Sequence, residues 1–186
     1  MVTEIEAIHK VLAVLEESGI EYMIVGSYAA GLHGFIRTTH DLDLVVCLEA
    51  EHVSTLVSAL DEEFYVDSES AREAIAQHDM FNIIHFDAGL KIDFWILHND
   101  EYSQAQFARR ECAEMEGIPA WVATAEDTIL SKLLWYRTSP SERQLDDVRG
   151  ILEVQKGSLD WDYLNEWAAK LWVAERLADL GKRPQE

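Results

Sequence analysis

The chain has 186 residues, a length that suits one domain or one domain with a helical annex. Acidic residues outnumber basic residues by 35 to 15, and the resulting formal net charge of −20 disfavours generic binding to nucleic acid. No apolar run approaches the ~20 residues that a bilayer-spanning helix needs, and the N-terminal sequence has no signal-peptide pattern. We therefore expect a cytoplasmic protein without a membrane partner. Cys47 and Cys112 form no C-x-x-C pair, and we expect both to be small buried hydrophobic residues.

The first half of the chain alternates between helical and strand-like patterns. A capping box of Thr3 and Glu6 opens the first helix, and its apolar residues recur at helical spacing. A short apolar run of strand length then ends at a Gly-Ser pair. In chain order the predictions are a helix at 3–18, a strand at 22–25, a helix from Ser27 to about His33, a strand at 42–48 and a helix at 50–60.

The second half contains a predicted hairpin, a second extended pair and a helical tail. Strands at 81–86 and 90–97 flank a short glycine-containing turn, which favours antiparallel pairing. Thr124 is a suitable N-cap for the first helix of the tail. The remaining predictions are an extended pair at 112–123 broken at 117–119, followed by helices at 125–136, 141–155 and 161–180. The pattern predicts an α+β fold with a mixed sheet of four or five strands packed by helices and followed by a helical segment.

Three aspartates lie in or at the start of predicted strands. Asp41 and Asp43 are two residues apart, so their side chains should project from the same face of a strand, opposite Leu42. Asp93 lies between two apolar residues of a later strand, where burying a carboxylate is costly unless it is paired or binds a metal ion. Converging carboxylates would repel each other and raise at least one pKa, a penalty that a divalent cation removes.

The chemistry of these groups selects the cation. Carboxylate oxygens at this density suit Mg²⁺ or Mn²⁺ rather than Zn²⁺. The seven histidines show no zinc-binding spacing, which argues against a zinc site.

Gly26 and Ser27 stand between a predicted strand and a predicted helix. Glycine lets the backbone approach a ligand closely, and the start of the helix offers free N–H groups that bind phosphate. The Ser27 hydroxyl adds another donor. A phosphate cradle beside paired metal ions is the equipment for in-line nucleotidyl transfer from an NTP. Asp93 would then help to deprotonate the acceptor hydroxyl.

The order of these motifs resembles that of a known superfamily. A G-S turn, a D-x-D about a dozen residues later and a lone strand aspartate are similar to the DNA polymerase β-like nucleotidyltransferases. HGFIRTTHDLDLVV, SKLLWYR and RQLDDVRGIL resemble the bacterial group that includes abortive-infection toxin nucleotidyltransferases and short stand-alone relatives. The resemblance is strong over 22–97, fair over 124–152 and absent over 153–186. It implies a catalytic core over 1–123 and a helical C-terminal region over 124–186.

The resemblance also implies roles for individual residues. The implied catalytic and metal-binding set is Asp41, Asp43 and Asp93, and the implied nucleotide-binding set is Gly26, Ser27, Arg37 and Lys132. Alternatively, Arg37 forms a surface salt bridge. Lys132 is alternatively a surface lysine whose stem lies along apolar residues while its ammonium reaches solvent. Asp146 and Asp147 match a recurrent acidic pair, but a solvated helix face is their ordinary interpretation.

These features predict an Mg²⁺-dependent (or Mn²⁺-dependent) nucleotidyltransferase whose acceptor is not identified. A small molecule, a protein hydroxyl and an RNA end all stay open, as does a link to toxin–antitoxin systems. The chain is shorter than the fuller toxins of the group, which disfavours a large RNA acceptor. The alternative is a non-catalytic nucleotide sensor or toxin–antitoxin partner. The tryptophan-rich tail fits either a homodimer surface or a cap over the cleft.

Overall fold

The computed structural model describes residues 2–181. A 3₁₀ turn at Ala50–His52 leads into the third α-helix. In chain order the elements are α1 (Glu4–Glu17), β1 (Tyr22–Val25), α2 (Gly26–His33), β2 (Asp41–Val46), α3 (Val53–Leu60), β3 (Phe64–Val66), α4 (Ser68–Gln77), β4 (Met80–His85), β5 (Lys91–Ile96), α5 (Glu101–Arg109), β6 (Glu111–Met115), β7 (Ile118–Val122), α6 (Ala125–Thr138), α7 (Glu142–Val154), α8 (Trp161–Lys170) and α9 (Ala174–Gly181).

The strands of residues 2–181 form one seven-stranded mixed sheet in the order β3-β4-β5-β2-β1-β7-β6. β2 runs parallel to β5 and antiparallel to β1. In this register Asp43 is the partner of Asp93 on one side and of Val25 on the other. The end of β1, where α2 begins, therefore lies beside both carboxylates.

The two faces of the sheet differ because side chains alternate along each strand. One face carries Leu42, Leu44 and similar residues, and it packs against α1, α3 and α4 in the main apolar core. The opposite face carries the three aspartates of the predicted site. Over the middle of the sheet this second face is partly covered, and there Phe107 of α5 packs against Met23 of β1. Over β3 and β4 it stays exposed.

The helices after β7 build a second apolar core with parts of α2 and α5. Leu130, Val148 and Leu164, from α6, α7 and α8, are fully buried in it. Helix α2 packs against both α6 and α7, which places the start of α2 close to these helices. The predicted boundary between 123 and 124 falls between β7 and α6. Within residues 2–181 no helix is long and apolar enough to cross a membrane.

The α+β fold class is confirmed, and most of the predicted elements are present. The prediction of four or five strands was wrong, because β3 was not predicted and because both strands of the extended pair, β6 and β7, belong to the sheet, which brings it to seven strands. Segments 61–79 and 98–111 had no predicted element, yet they contain β3, α4 and α5. β3 has only three residues, and α4 and α5 are polar helices, so each gives a weak hydrophobic pattern.

Two further expectations are corrected. The helix predicted at 161–180 is two helices, α8 and α9, and Trp172 between them adopts a left-handed backbone with φ of 60°. Cys47 and Cys112 are exposed instead of buried. Both lie near the ends of strands, where the apolar pattern of the sequence does not distinguish the core from the surface.

Candidate active site

The three aspartates lie on one face of two neighbouring strands. Asp41 and Asp43 belong to β2, and Asp93 is the register partner of Asp43 on β5. Exposure decreases across the group, because Asp41 is exposed, Asp43 is half-buried and Asp93 is only 7% exposed. The structure therefore brings together the three carboxylates that the sequence singled out, and Asp41 and Asp43 line a cavity, whereas Asp93 lies behind its lining.

The electrostatics of this group are unfavourable for a metal-free site. Burial raises the pKa of Asp43, and the neighbouring Asp93 charge raises it further. A hydrogen bond from Trp95 and the charge of Lys132 act in the opposite direction. The Lys91 ammonium lies 2.7 Å from one carboxylate oxygen of Asp93, Oδ2. The other oxygen, Oδ1, is buried and has no hydrogen-bond partner.

This donor set fits a hard divalent cation. A buried carboxylate oxygen without a partner is rare in folded proteins and calls for a ligand or an ion. Within residues 2–181 no group of three or more acidic, histidine or cysteine side chains is arranged so that it could hold a metal ion by itself, so further ligands would have to come from a substrate or water. Mg²⁺ usually binds through one or two carboxylates and completes its shell with substrate phosphates and water. Asp41, Asp43 and Asp93 would hold such an ion together with a bound nucleotide.

Gly26 forms the turn between β1 and α2, next to these carboxylates. Its φ of +67° belongs to the left-handed region, which favours glycine. A Cβ atom at this position would overlap the Asp43 carboxylate. No side chain caps the N-terminus of α2, so its first N–H groups keep their capacity to bind an anion. The turn therefore places the N–H donors of α2 against the Asp43 carboxylate.

Two cations and a buried carboxylate flank the turn. Arg37 donates to the Ser27 hydroxyl, with Nη2 and Oγ 2.5 Å apart. Arg37 Nε also donates to Asp147 Oδ1 at 3.0 Å, and Lys132 Nζ lies 2.7 Å from Asp147 Oδ2. Burial alone would raise the pKa of Asp147, but hydrogen bonds from Arg37 and Lys132 outweigh it and lower that pKa. Asp147 therefore holds both cations beside Ser27.

The alternative interpretations can now be compared with the geometry. Lys132 is only 5% exposed, so it is not a snorkelling surface lysine. Arg37 does form a salt bridge, but it also contacts Ser27 at the cavity. Of the acidic pair, Asp146 is solvated and pairs with Arg149 on the surface. The solvated interpretation was wrong for Asp147, because α7 turns this residue inward.

A cavity of about 850 Å³ extends from the turn along the sheet toward α5 and α6. Beyond the carboxylates its wall contains Trp95 and Trp135, packed edge to face at 5.5 Å. Ser131 donates to Gln106 Oε1 at 3.2 Å on the same wall. The predicted residues that line the cavity are Gly26, Ser27, Arg37, Asp41, Asp43 and Lys132, whereas Asp93 is not among its lining residues. The cavity thus connects the turn to a wall that carries two indole rings.

Sequence reasoning missed several residues of this site. Lys91 and Trp95 lie two residues before and two residues after Asp93, so the alternation of a strand would have placed them on the same face. Trp135 had been assigned mainly to the core or to an interface. Gln106 lies on a helix that was not predicted, and no sequence pattern indicates its position.

A comparison of the sequence with known families identifies the class of this protein. The sequence profile of the family described as a nucleotidyltransferase of unknown function (DUF6036) matches residues 3–179, and the chain belongs to this family. The match extends through most of the segment beyond 152, where no resemblance had been recognised. No curated protein sequence matches the chain.

Solved structures of similar fold are also nucleotidyltransferases. ANT(2'')-Ia in complex with adenylyl-2''-tobramycin shares 19% identity at a TM-score of 0.61, covering 92% of this chain and 98% of that one. The lincosamide antibiotic adenylyltransferase LnuA shares 13% identity at a TM-score of 0.52, covering 79% and 95%. A nucleotidyltransferase-like protein from Paracoccidioides brasiliensis shares 16% identity at a TM-score of 0.53, covering 95% and 91%. These similarities show that the chain shares its fold with these structures.

Proposed function

We propose that the protein transfers a nucleoside monophosphate from an Mg²⁺-bound NTP to a hydroxyl group. The observation that carries this proposal is the pairing of Asp43 with Asp93 across β2 and β5, directly beside the Gly26 turn. This pairing supports a divalent-cation site next to a helix N-terminus whose free N–H groups suit phosphate. The experiment below tests this combination.

The triphosphate would lie at the end of the cavity that carries Ser27, Arg37 and Lys132. The N–H groups of α2, the Ser27 hydroxyl and the two cations offer donors to phosphate oxygens. The nucleobase would then lie in the same cavity against Trp135, which is 49% exposed. Stacking on an indole suits any base, so this contact favours binding without selecting the base.

The reaction is a displacement at the α-phosphorus. The acceptor oxygen forms a bond to phosphorus while the bond to the α–β bridging oxygen breaks, and pyrophosphate leaves with the electron pair. The hydroxyl proton passes to an Asp93 oxygen or to water. Arg37 and Lys132 stabilise the negative charge that develops on the leaving group. Asp41, Asp43 and Asp93 would hold Mg²⁺, which would supply Lewis-acid charge neutralisation at this site.

A link to toxin–antitoxin systems is supported by the HGFIRTTHDLDLVV motif alone. One of the similar structures is described as a lincosamide antibiotic adenylyltransferase, and another is a complex with adenylyl-2''-tobramycin, which supports adenylyl transfer to a small hydroxyl compound as one form of the reaction. The search for the acceptor should therefore include small molecules, proteins and RNA.

The test is a labelling reaction with each of the four NTPs, radiolabelled at the α-phosphorus, in a cell extract with Mg²⁺. We expect one acceptor fraction to take up label with the wild type. Asp93→Asn should abolish the label but fold normally. Tight NTP binding without any label or pyrophosphate release would favour the nucleotide sensor instead. Equal labelling by wild type and Asp93→Asn would overturn the proposed mechanism.

A further inference from the structure

The face of the sheet that carries the aspartates continues past them onto β4 and β3. Register pairing puts Asp41, Lys91, Ile84 and Tyr65 in one row across four strands. The next row contains Asp43, Asp93 and Asn82. We name the exposed part beyond β5 the open face, and it consists of Tyr65, Asn82, Ile84, Phe86 and Lys91. No helix covers this part in the described chain.

We propose that the open face binds the acceptor, and that the acceptor is a polypeptide with a serine, threonine or tyrosine hydroxyl. This inference rests on the proposed nucleotidyl transfer. The hydroxyl oxygen would form the new bond to the α-phosphorus, pyrophosphate would leave, and the peptide would gain a phosphodiester. The proton would pass to Asp93 or to water.

The sheet order fixes the side from which the acceptor arrives. The phosphate cradle lies at β1 and α2, on one side of the paired aspartates, and β4 and β3 lie on the other side. In-line displacement requires the acceptor oxygen to enter opposite the leaving pyrophosphate. The entering group therefore approaches Asp93 from the open face.

The apolar part of the open face is formed by Tyr65, Ile84 and Phe86. Tyr65, Ile84 and Phe86 are 56%, 40% and 60% exposed, an unusual cluster for a sheet face beside a catalytic group. None of the three lines either cavity described for residues 2–181. Strands lie about 4.8 Å apart, so Ile84 and Tyr65 fall within about 10 Å of β5, a distance that three residues of extended chain span. A flat apolar platform of this reach suits a peptide better than a small molecule.

Charge decides between the macromolecules that could lie there. Asp87, which follows Phe86, and Glu62, three residues before Tyr65, are both exposed, and the whole chain carries a net charge of −20. This charge repels an RNA acceptor, and it also repels a second copy of the chain. A peptide with basic and apolar residues around its hydroxyl complements both the rim and the platform.

The test uses two pools of ten-residue synthetic peptides, each with a single serine, threonine or tyrosine. One pool has lysine, arginine and apolar flanking residues, and in the other pool glutamate replaces the basic residues. Transfer of label from α-labelled NTP is measured for the wild type, Ile84→Ser and Phe86→Ser. Ile5→Ser is the matched control, because Ile5 is 42% exposed on α1 at the opposite face. NTP binding is measured separately by the Mg²⁺-dependent rise in melting temperature.

We expect label in the basic pool, and a rise in peptide KM of about tenfold in each open-face variant, the usual size for an anchor side chain. Ile5→Ser should behave as the wild type, and the NTP-induced melting shift should persist in every variant. The peptide assignment would be overturned if NTP still raised the melting temperature but no peptide were labelled. Label on RNA or on a small hydroxyl probe instead of peptide would overturn it as well. A dimer that Ile84→Ser dissociates would show that the open face is a subunit interface. Loss of the NTP shift in the wild type would instead contradict the proposed function itself.

Discussion

Replacing Gly26 by alanine tests the link between the phosphate turn and the metal-binding carboxylates. The new Cβ would overlap the Asp43 carboxylate, which is bounded on its other side by β5 and Asp93. Asp43 cannot withdraw without leaving its place beside Asp93. Gly26→Ala should therefore displace Asp43 by the better part of an ångström, and such a displacement at a reacting centre costs about a hundredfold in rate.

The effect of Gly26→Ala has two parts, backbone strain and the overlap with Asp43, and a second variant separates them. A left-handed backbone costs about 1–2 kcal/mol for any residue with a Cβ, whatever the surroundings. Gly89 has a φ of +66°, almost equal to that of Gly26, but a Cβ added to Gly89 would meet no other atom within 4 Å. Gly89→Ala should lose about 1 kcal/mol of unfolding free energy and keep its activity. Gly26→Ala should lose more stability and nearly all of its activity.

Urea unfolding gives the stability of both variants, and pyrophosphate release with Mg²⁺ and the preferred NTP gives their activity. The reasoning would be refuted if Gly26→Ala kept more than a tenth of the wild-type rate. It would also be refuted if both variants lost activity in proportion to stability, because the effect would then be strain alone.

Three further predictions concern the charges and the aromatic wall. Asp147→Asn should lower the free energy of unfolding in urea by about 3 kcal/mol, because Lys132 then keeps a buried charge without its partner; a loss below about 1 kcal/mol would contradict this. Burial and the Asp93 charge raise the pKa of Asp43 above its ordinary 3.8, so the folded state holds this proton more tightly. The melting temperature is measured in EDTA as a function of pH. That of the wild type should fall as pH rises from about 4 through the raised pKa, and that of Asp43→Asn should lack this fall. Parallel dependences of the two melting temperatures on pH would argue against a raised pKa. Trp135→Ala should weaken NTP binding about tenfold but leave tripolyphosphate binding unchanged in calorimetry; equal effects on both ligands would exclude base stacking.

The local pattern of the sequence was enough to predict the centre of the site. Alternation along β2 put Asp41 and Asp43 on one face, and the Gly-Ser pair marked the turn before α2. The fold class followed from the same alternation of helical and strand-like segments. These signals depend on neighbours within a few residues, which is the range over which periodicity operates.

The rest of the site depends on contacts between distant segments. Arg37 meets Asp147 across 110 positions of the chain, and no local pattern distinguishes Asp147 from the solvated Asp146 beside it. The open face depends on the order of the strands, since β5 pairs with β2 although three other elements and β4 separate them in sequence. Three-residue β3 carries too little pattern to be detected, and Tyr65 could not be assigned without it.

Calorimetric titration of a non-reactive NTP analogue, with a methylene group in place of the α–β bridging oxygen, tests the central claim most directly. The titration is made with Mg²⁺ and with EDTA, on the wild type and on Asp43→Asn. The account predicts that the wild type binds the analogue only with Mg²⁺ and that Asp43→Asn loses at least about tenfold in affinity. Equal affinity in EDTA and in Mg²⁺, or equal affinity of the two proteins, would contradict a cation held by Asp43 and its neighbours.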